Sequence, residues 1–153
     1  MQLRLAVPGD LAVVQSITNA AYAVWEPIMG APAVPVTEDY VPRIVRQEVW
    51  LVERDGTALA VMVAEPTDDH LLIFSLAVPP AHQAQGIGRF MLAAAERQAT
   101  AAGLRGIRLF TGDRMVRNIA MYGRWGFIET GRRPNPYRPG WTLVDMVKPL
   151  VPV

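Results

Sequence analysis

The sequence predicts one α/β domain with a mixed sheet, its elements ordered β-α-α-β-β-β-α-β-α-β-β. Three observations lead there. Short apolar runs suited to strands are interspersed with segments whose apolar residues recur at helical spacing. Clusters of Gly, Pro and Asp punctuate the chain where turns are needed. The 153 residues, 51% of them hydrophobic, are about the size of one ordinary domain with a full core. We therefore expect a single domain over 1–153, with no internal repeat, low-complexity tract or linker.

Each element has its own signal. Leu3 to Val7 alternates as a first strand, and Pro8-Gly9-Asp10 ends it. Asp10 is a good N-cap for a helix in which Leu11, Val14, Ile17 and Ala21 share a face. Residues 25–36, rich in Pro and Gly, read as a long functional loop. Thr37 would cap a short helix, TEDYVPRIVRQ, with Pro42 near its first turn. Val49 to Arg54 and Ala58 to Ala64 are strands joined by Asp55-Gly56, a strong hairpin signal. After Pro66-Thr67-Asp68-Asp69, the near-continuous apolar run His70 to Val78 reads as a central strand buried on both faces. Gly86 to Ala102 is a helix ended by Gly103, Ile107 to Thr111 a strand, and Asn118 to Trp125 a helix stopped by Gly126. Phe127 to Arg132 and Trp141 to Lys148 close the fold as two strands.

Composition excludes several functions. With 15 basic and 14 acidic residues the net charge is +1, which argues against a nucleic-acid partner held by bulk electrostatics. The arginines cluster in 105–126 and 132–138, a pattern suited to a small polyanionic ligand. There is no cysteine, so disulfides, thiolate metal sites and a cysteine nucleophile are excluded, and we expect no metal. MQLRLAVPGD has no apolar core of a secretory signal, and no run reaches membrane-span length. The expectation is a soluble cytoplasmic protein.

The most informative stretch is 76-LAVPPAHQAQGIGRFML-92, in which a strand turns into a helix through Gln83-Ala84-Gln85-Gly86-Ile87-Gly88. The first turn of a helix presents unpartnered N–H groups and the positive end of the helix dipole, and a phosphate fits there without side chains. Glycine at 86 and 88 lets it approach, and Arg89 adds a cation. The loop is not a P-loop, because Arg89-Phe90 follows Gly88 where Lys and Ser/Thr would be required. Nor is it a dinucleotide loop, because position 91 is Met. On the hexapeptide alone, a bare turn and a phosphate seat both remain.

The context resembles a family. LAVPPAHQAQGIGRFMLAAAERQA is similar to the acyl-CoA-binding strand–loop–helix of the GNAT superfamily of acyl-CoA-dependent N-acyltransferases. That family's loop pattern, Q/R-x-x-G-x-G/A, is met by Gln83, Gly86 and Gly88. NIAMYGRWGF (118–127) resembles its second segment, and LRLAVPGDLAVVQSITNAAY its opening strand and helix, in the family's order and over nearly the whole chain.

The resemblance implies a mostly antiparallel central sheet flanked by helices. It implies acetyl-CoA as acyl donor and a primary amine of a small molecule or peptide as acceptor, with no nucleic-acid or membrane partner. A homodimer through the C-terminal strands is an expectation by the same analogy. By match, the backbone of Leu76, Ala77 and Val78 would hold the pantetheine arm. Residues Gln83, Ala84, Gln85, Gly86, Ile87 and Gly88 would seat the pyrophosphate with Arg89 at the rim, and Asn118 would bond the cofactor backbone. Arg124 is a looser match for a phosphate contact. Tyr122 matches the tyrosine near the thioester sulfur, where a phenol can protonate the departing thiolate.

The base is less defined. Many relatives carry a glutamate early on the strand before the loop, whereas here Leu71 to Phe74 has no carboxylate. The nearest ionisable groups are His70, which has a suitable intrinsic pKa, and Asp68 and Asp69 just before it. Glu65, Glu26, a water on Ser75 and a water chain are the alternatives. The missing carboxylate also keeps open an acyl-CoA-binding sensor or structural subunit with little catalysis. The acceptor pocket is expected from the Pro/Gly-rich loop and the arm RRPNPYRPGW, with Trp25, Met29, Tyr137 and Trp141 as its apolar wall and Arg132, Arg133 and Arg138 as charges.

Overall fold

A computed structural model describes residues 1–150. The strands are β1 (Gln2–Leu5), β2 (Val49–Arg54), β3 (Thr57–Pro66), β4 (His70–Ala77), β5 (Gly106–Gly112), β6 (Ile128–Pro134) and β7 (Thr142–Pro149). The helices are α1 (Leu11–Tyr22), α2 (Glu26–Met29), α3 (Val34–Thr37), α4 (Tyr40–Val45), α5 (Ile87–Ala101) and α6 (Val116–Arg124). The strands hydrogen-bond in the order β1-β2-β3-β4-β5-β7-β6. β4 and β5 pair in parallel, while β1–β2, β2–β3, β5–β7 and β6–β7 are antiparallel. The fold is thus α/β with a mixed, mostly antiparallel sheet and helices, as the sequence predicts.

The chain forms two compact units, Met1–Glu65 with Ile73–Ala94, and Pro66–Leu72 with the residues from Ala95 onward. In the first unit, α1 buries Val14, Ile17 and Ala21 in a cluster with Tyr40 and Ile44 of α4, Val49 and Leu51 of β2, and Val61 and Val63 of β3. The helix face and the strand alternation read from sequence meet here, and each fully buried Val, Leu or Ile contributes roughly 1.5–3 kcal/mol. Asp55 and Gly56 make the hairpin, with φ of 53° and 79° and Arg54 opposite Thr57.

Four expectations are corrected. Asp10 does not cap α1 through its side chain. Its carboxylate instead takes the Val7 N–H at 2.8 Å and both terminal nitrogens of Arg4, at 2.8 and 3.1 Å. Arg4 is also bonded to Glu53, so the carboxylate's stronger cationic partner pulls it away from the helix. Thr37 ends α3, its hydroxyl donating to the Val34 carbonyl, and Asp39 caps α4 by accepting from the Val41 N–H. Residues 25–36 are not one loop, for α2 and α3 occupy much of it, each with Pro in its first turn where no N–H is needed. Finally, the strand buried throughout is β3, from Leu59 to Ala64. β4 alternates: Leu71, Ile73, Ser75 and Ala77 are buried, while His70, Leu72, Phe74 and Leu76 are half-buried. Composition cannot distinguish a covered apolar face from an open one.

In the second unit, β5 and β7 bury Ile107, Leu109, Leu143, Val144 and Met146. β6 pairs only with β7 in the strand order and is exposed along nearly its whole length. Its register shifts between Glu129 and Gly131, and Pro134 ends it, two devices that spoil an edge as a template for further pairing. Lys148 pairs with Glu96 of α5.

Candidate active site

In the first unit β4 runs into Val78, Pro79 and a 3₁₀ turn, Pro80–His82, before the glycine loop. The Gln83 side chain folds back, its Nε2 donating to the Val78 carbonyl at 3.0 Å. Ala84 and Gly86 both stand in the left-handed region, at φ 62° and 78°. For Ala84 this costs about 1–2 kcal/mol, since Cβ crowds the following carbonyl. Strain of this kind is kept where the surroundings fix an unusual backbone path. A Cβ placed on Gly86 would meet nothing within 4 Å, so glycine is needed there for its backbone angle and not for room inside the protein. The Gly86 carbonyl accepts from the Phe90 N–H at 3.0 Å, which starts the α5 ladder. Ile87 is buried and anchors the helix start, while residues 83–86 and Arg89 are exposed. The anchored, outward-facing N-terminus of a 15-residue helix is the arrangement a diphosphate needs. Arg54 reaches Gln85 from β2, donating to its Oε1 at 3.2 Å.

The strand before the loop holds a polar pair that the sequence reading did not connect. The Tyr22 hydroxyl, at the end of α1, lies 3.1 Å from Ser75 Oγ. Ser75 is 2% exposed. Burial pushes the Tyr22 phenol above its ordinary range, so it is a neutral hydrogen-bonding group and not a base. The pair fixes the β4 backbone directly ahead of Ala77 and Val78. Nearby, the Arg43 guanidinium lies 4.1 Å from the Phe74 ring centroid and binds Glu38, Glu48 and Glu65. Burial works against the Arg43 charge, but the hydrogen bond to Glu38 and the three carboxylates outweigh it and raise its pKa. Glu65 is thereby engaged in an ion pair.

In the second unit His70 opens β4. Its Nδ1 lies 2.7 Å from Asp69 Oδ1, and Thr67 donates to the His70 carbonyl through both N–H and hydroxyl, each at 2.8 Å. The hydrogen bond from His70 holds the Asp69 carboxyl below its usual range. Six residue steps of strand, about 20 Å at 3.3 Å per residue, separate His70 from Leu76 along β4.

Asn118 and Tyr122 stand four residues apart on α6, which puts them on one helix face. The spacing of Tyr122 to Gly126 and Phe127 has a structural cause. Gly126, at φ 96°, sends its N–H to the Gly123 carbonyl, and the Phe127 N–H reaches the Tyr122 carbonyl at 3.0 Å. This is a Schellman closure, and its usual apolar contact is present as the Tyr122–Phe127 ring pair, 5.6 Å between centroids. Trp125 packs edge-on against Tyr122 at 6.0 Å. Arg124, in the last turn of α6, is exposed.

Of the expected acceptor-side residues, Met29 is buried, Trp25 half-buried and Tyr137 exposed. Trp141 is half-buried, with the Arg114 guanidinium 3.7 Å from its ring centroid and that of Arg138 at 5.7 Å. Arg132 and Arg133 are paired with Glu129 and Asp145. No helix among the described residues is long and apolar enough to cross a membrane.

Comparisons with known proteins agree with the fold. The structure resembles the ribosomal-protein-S18-alanine N-acetyltransferase of Escherichia coli, with a TM-score of 0.74 at 20% identity over 99% of this chain and 95% of that one. It resembles the PaiA N-acetyltransferase of Thermoplasma acidophilum, solved in complex with coenzyme A, with a TM-score of 0.79 at 16% identity over 97% and 98%. A GNAT-family acetyltransferase from Listeria monocytogenes gives 0.74 at 22% identity over 97% and 94%. The model of the acetyltransferase (GNAT) family matches residues 15–127, most of the chain, and the protein belongs to that family.

Proposed function

We propose that the protein is a single-domain enzyme that moves an acetyl group from acetyl-CoA to a primary amine of a small molecule or peptide. The observation that carries this reading is the exposed loop 83–88, with its two left-handed residues, opening onto the start of α5. The pyrophosphate sits on the backbone of Gln83 to Gly88 with Arg89 beside it, and the backbone of Leu76 to Val78 meets the pantetheine arm. Asn118 bonds the same arm. Family membership and the coenzyme A bound by the Thermoplasma acidophilum relative support the choice of donor.

The chemistry is direct attack. The amine nitrogen adds to the thioester carbon, the tetrahedral intermediate collapses, the C–S bond breaks, and Tyr122 gives its proton to the leaving thiolate. The ammonium must first lose a proton. His70 is the ionisable side chain on β4, but the length of strand between it and Leu76 favours water as the immediate acceptor, with Tyr22 and Ser75 steadying the backbone. The protein acts without nucleic acid or membrane, in the cytoplasm, and a homodimer through the C-terminal strands would use their face, because the register shift and Pro134 spoil the β6 edge. The test is a screen of amine acceptors with detection of free thiol from acetyl-CoA. Turnover with any amine class supports the enzyme. Stabilisation by acetyl-CoA without turnover on any amine supports the sensor reading, to which β4's lack of a carboxylate points. Absence of both refutes the acyl-CoA reading.

A further inference from the structure

Arg54 is placed differently from three other arginines of the first unit. Arg4 is paired with Asp10 and Glu53, Arg43 with Glu38, Glu48 and Glu65, and Arg46 with Glu48. Among the described residues Arg54 has no ion pair, and the one hydrogen bond of its guanidinium goes to a neutral acceptor on the glycine loop, Gln85 Oε1 at 3.2 Å. An amide oxygen is a modest partner for a guanidinium. Charged phosphate oxygens make shorter hydrogen bonds, roughly twice as strong, and match the planar fork of donors that the Gln85 contact leaves largely unused.

The backbone beneath this side chain is fixed. Arg54 stands opposite Thr57 across the Asp55-Gly56 turn, and Leu51 and Val52 just before it are fully buried. Val52 faces Ala60 while Glu53 faces Ala58, so Leu59 is an extra residue on β3. A bulge of this kind sharpens the twist and re-aims the strand end next to it. Here that end carries Arg54 onto the loop. The loop is held on its side as well, with Gln83 bonded to the Val78 carbonyl and Gln85 to Arg54, on either side of the left-handed Ala84. Arg54 and residues 83–86 are all exposed, so a ligand reaches the guanidinium and the loop backbone together.

We infer that Arg54 is a further phosphate-binding residue of this loop, giving charged hydrogen bonds to a phosphate of the acyl donor from the side of the β2–β3 hairpin. The inference rests on the acetyl-CoA reading for the identity of the ligand, and its test separates the two. Calorimetric titration compares acetyl-CoA with its 3′-dephospho form. Arg54→Gln is expected to raise the Kd for acetyl-CoA about tenfold at low salt, the low end for a hydrogen bond to a charged group because the site is open to water. The gap from wild type shrinks in 1 M salt, and Arg54→Lys restores only part because it lacks the fork. The exposed substitution should move Tm by no more than about 2 °C. An equal loss with both donor forms assigns the contact to the diphosphate, and a loss with acetyl-CoA alone assigns it to the 3′-phosphate; either upholds a phosphate contact. The Gln85→Ala background separates contact from support: Arg54→Gln still weakens binding there if Arg54 meets the phosphate itself. An unchanged Kd, a loss that salt leaves as large, or a loss that vanishes in the Gln85→Ala background overturns the inference. If wild type binds neither donor form, the acetyl-CoA reading fails by itself. The phosphate site is then decided by thermal stabilisation with inorganic pyrophosphate. A shift that Arg54→Gln loses upholds the site, and no shift, or an equal one in both proteins, overturns it.

Discussion

Replacing Gly86 by Asn and by Asp separates a turn from a phosphate seat. The two side chains have nearly the same shape, and a Cβ at 86 meets nothing within 4 Å, so neither clashes with the protein. Both carry the cost of a left-handed residue, φ 78°, at the lower end of about 1–2 kcal/mol because Asn and Asp tolerate that region. A loss of about 1 kcal/mol should lower Tm by roughly 2–4 °C in a chain of this size, alike in both variants. They differ in charge. A carboxylate roughly 5 Å from a phosphate charge repels it by about 1 kcal/mol in water and about 3 kcal/mol at an effective dielectric constant of 20. Asp should therefore bind acetyl-CoA about 5- to 150-fold more weakly than Asn does. Calorimetric titration measures this directly. The gap should shrink in 1 M salt, where screening acts over about 3 Å. If Asn and Asp bind alike at low salt, no phosphate lies at this helix start and the loop only turns the chain.

Other perturbations follow from the same structure. Tyr122→Phe should lower kcat by about a hundredfold or more while leaving the Kd for acetyl-CoA nearly unchanged, and an unaltered rate would remove Tyr122 from the acid role. Tyr22→Phe leaves the buried Ser75 hydroxyl without its partner and should cost about 1–3 kcal/mol in denaturant unfolding. Tyr22→Phe with Ser75→Ala should then cost less than the sum of the two single changes, and simple additivity would deny the pair. The Asp10 carboxyl is held down by its hydrogen bond to Arg4 and by the Val7 N–H, so its folded pKa lies below the unfolded value. Its contribution is present above the unfolded pKa of about 3.9 and is lost as pH falls through the folded value. Thermal unfolding between about pH 5 and pH 2 should fall more steeply in wild type than in Arg4→Gln, and parallel curves would count against the pair.

What could be read from sequence was local. Asp55-Gly56, Gly103 and Gly126 announced a hairpin and two helix ends because each acts within a few residues of itself. The glycine loop was legible for the same reason, as a strand, a turn and a helix in one short window. The Tyr22–Ser75 pair spans 53 residues, and its only trace was one hydroxyl in an apolar strand. Arg114 and Trp141 come together through the β5–β7 pairing, so a run of arginines looked uniform although Arg132 and Arg133 pair with carboxylates while Arg114 and Arg138 lie over the Trp141 ring. Asp10 misled because its use as a helix cap lost to two other local partners, the Arg4 guanidinium and the Val7 N–H. The half-buried face of β4 was hidden because apolar side chains give no sign of how fully they are covered.

The closure at the end of α6 has a further consequence for motion. Helix ends ordinarily open first, with free energies near zero. Here the last turn cannot unwind without parting the Tyr122 and Phe127 rings and releasing the Phe127 N–H from the Tyr122 carbonyl. The amide of Phe127 should therefore exchange with solvent no faster than that ring pair separates. Its exchange rate becomes a clock for how often the proposed acid leaves its place, readable without substrate and without any assay of turnover.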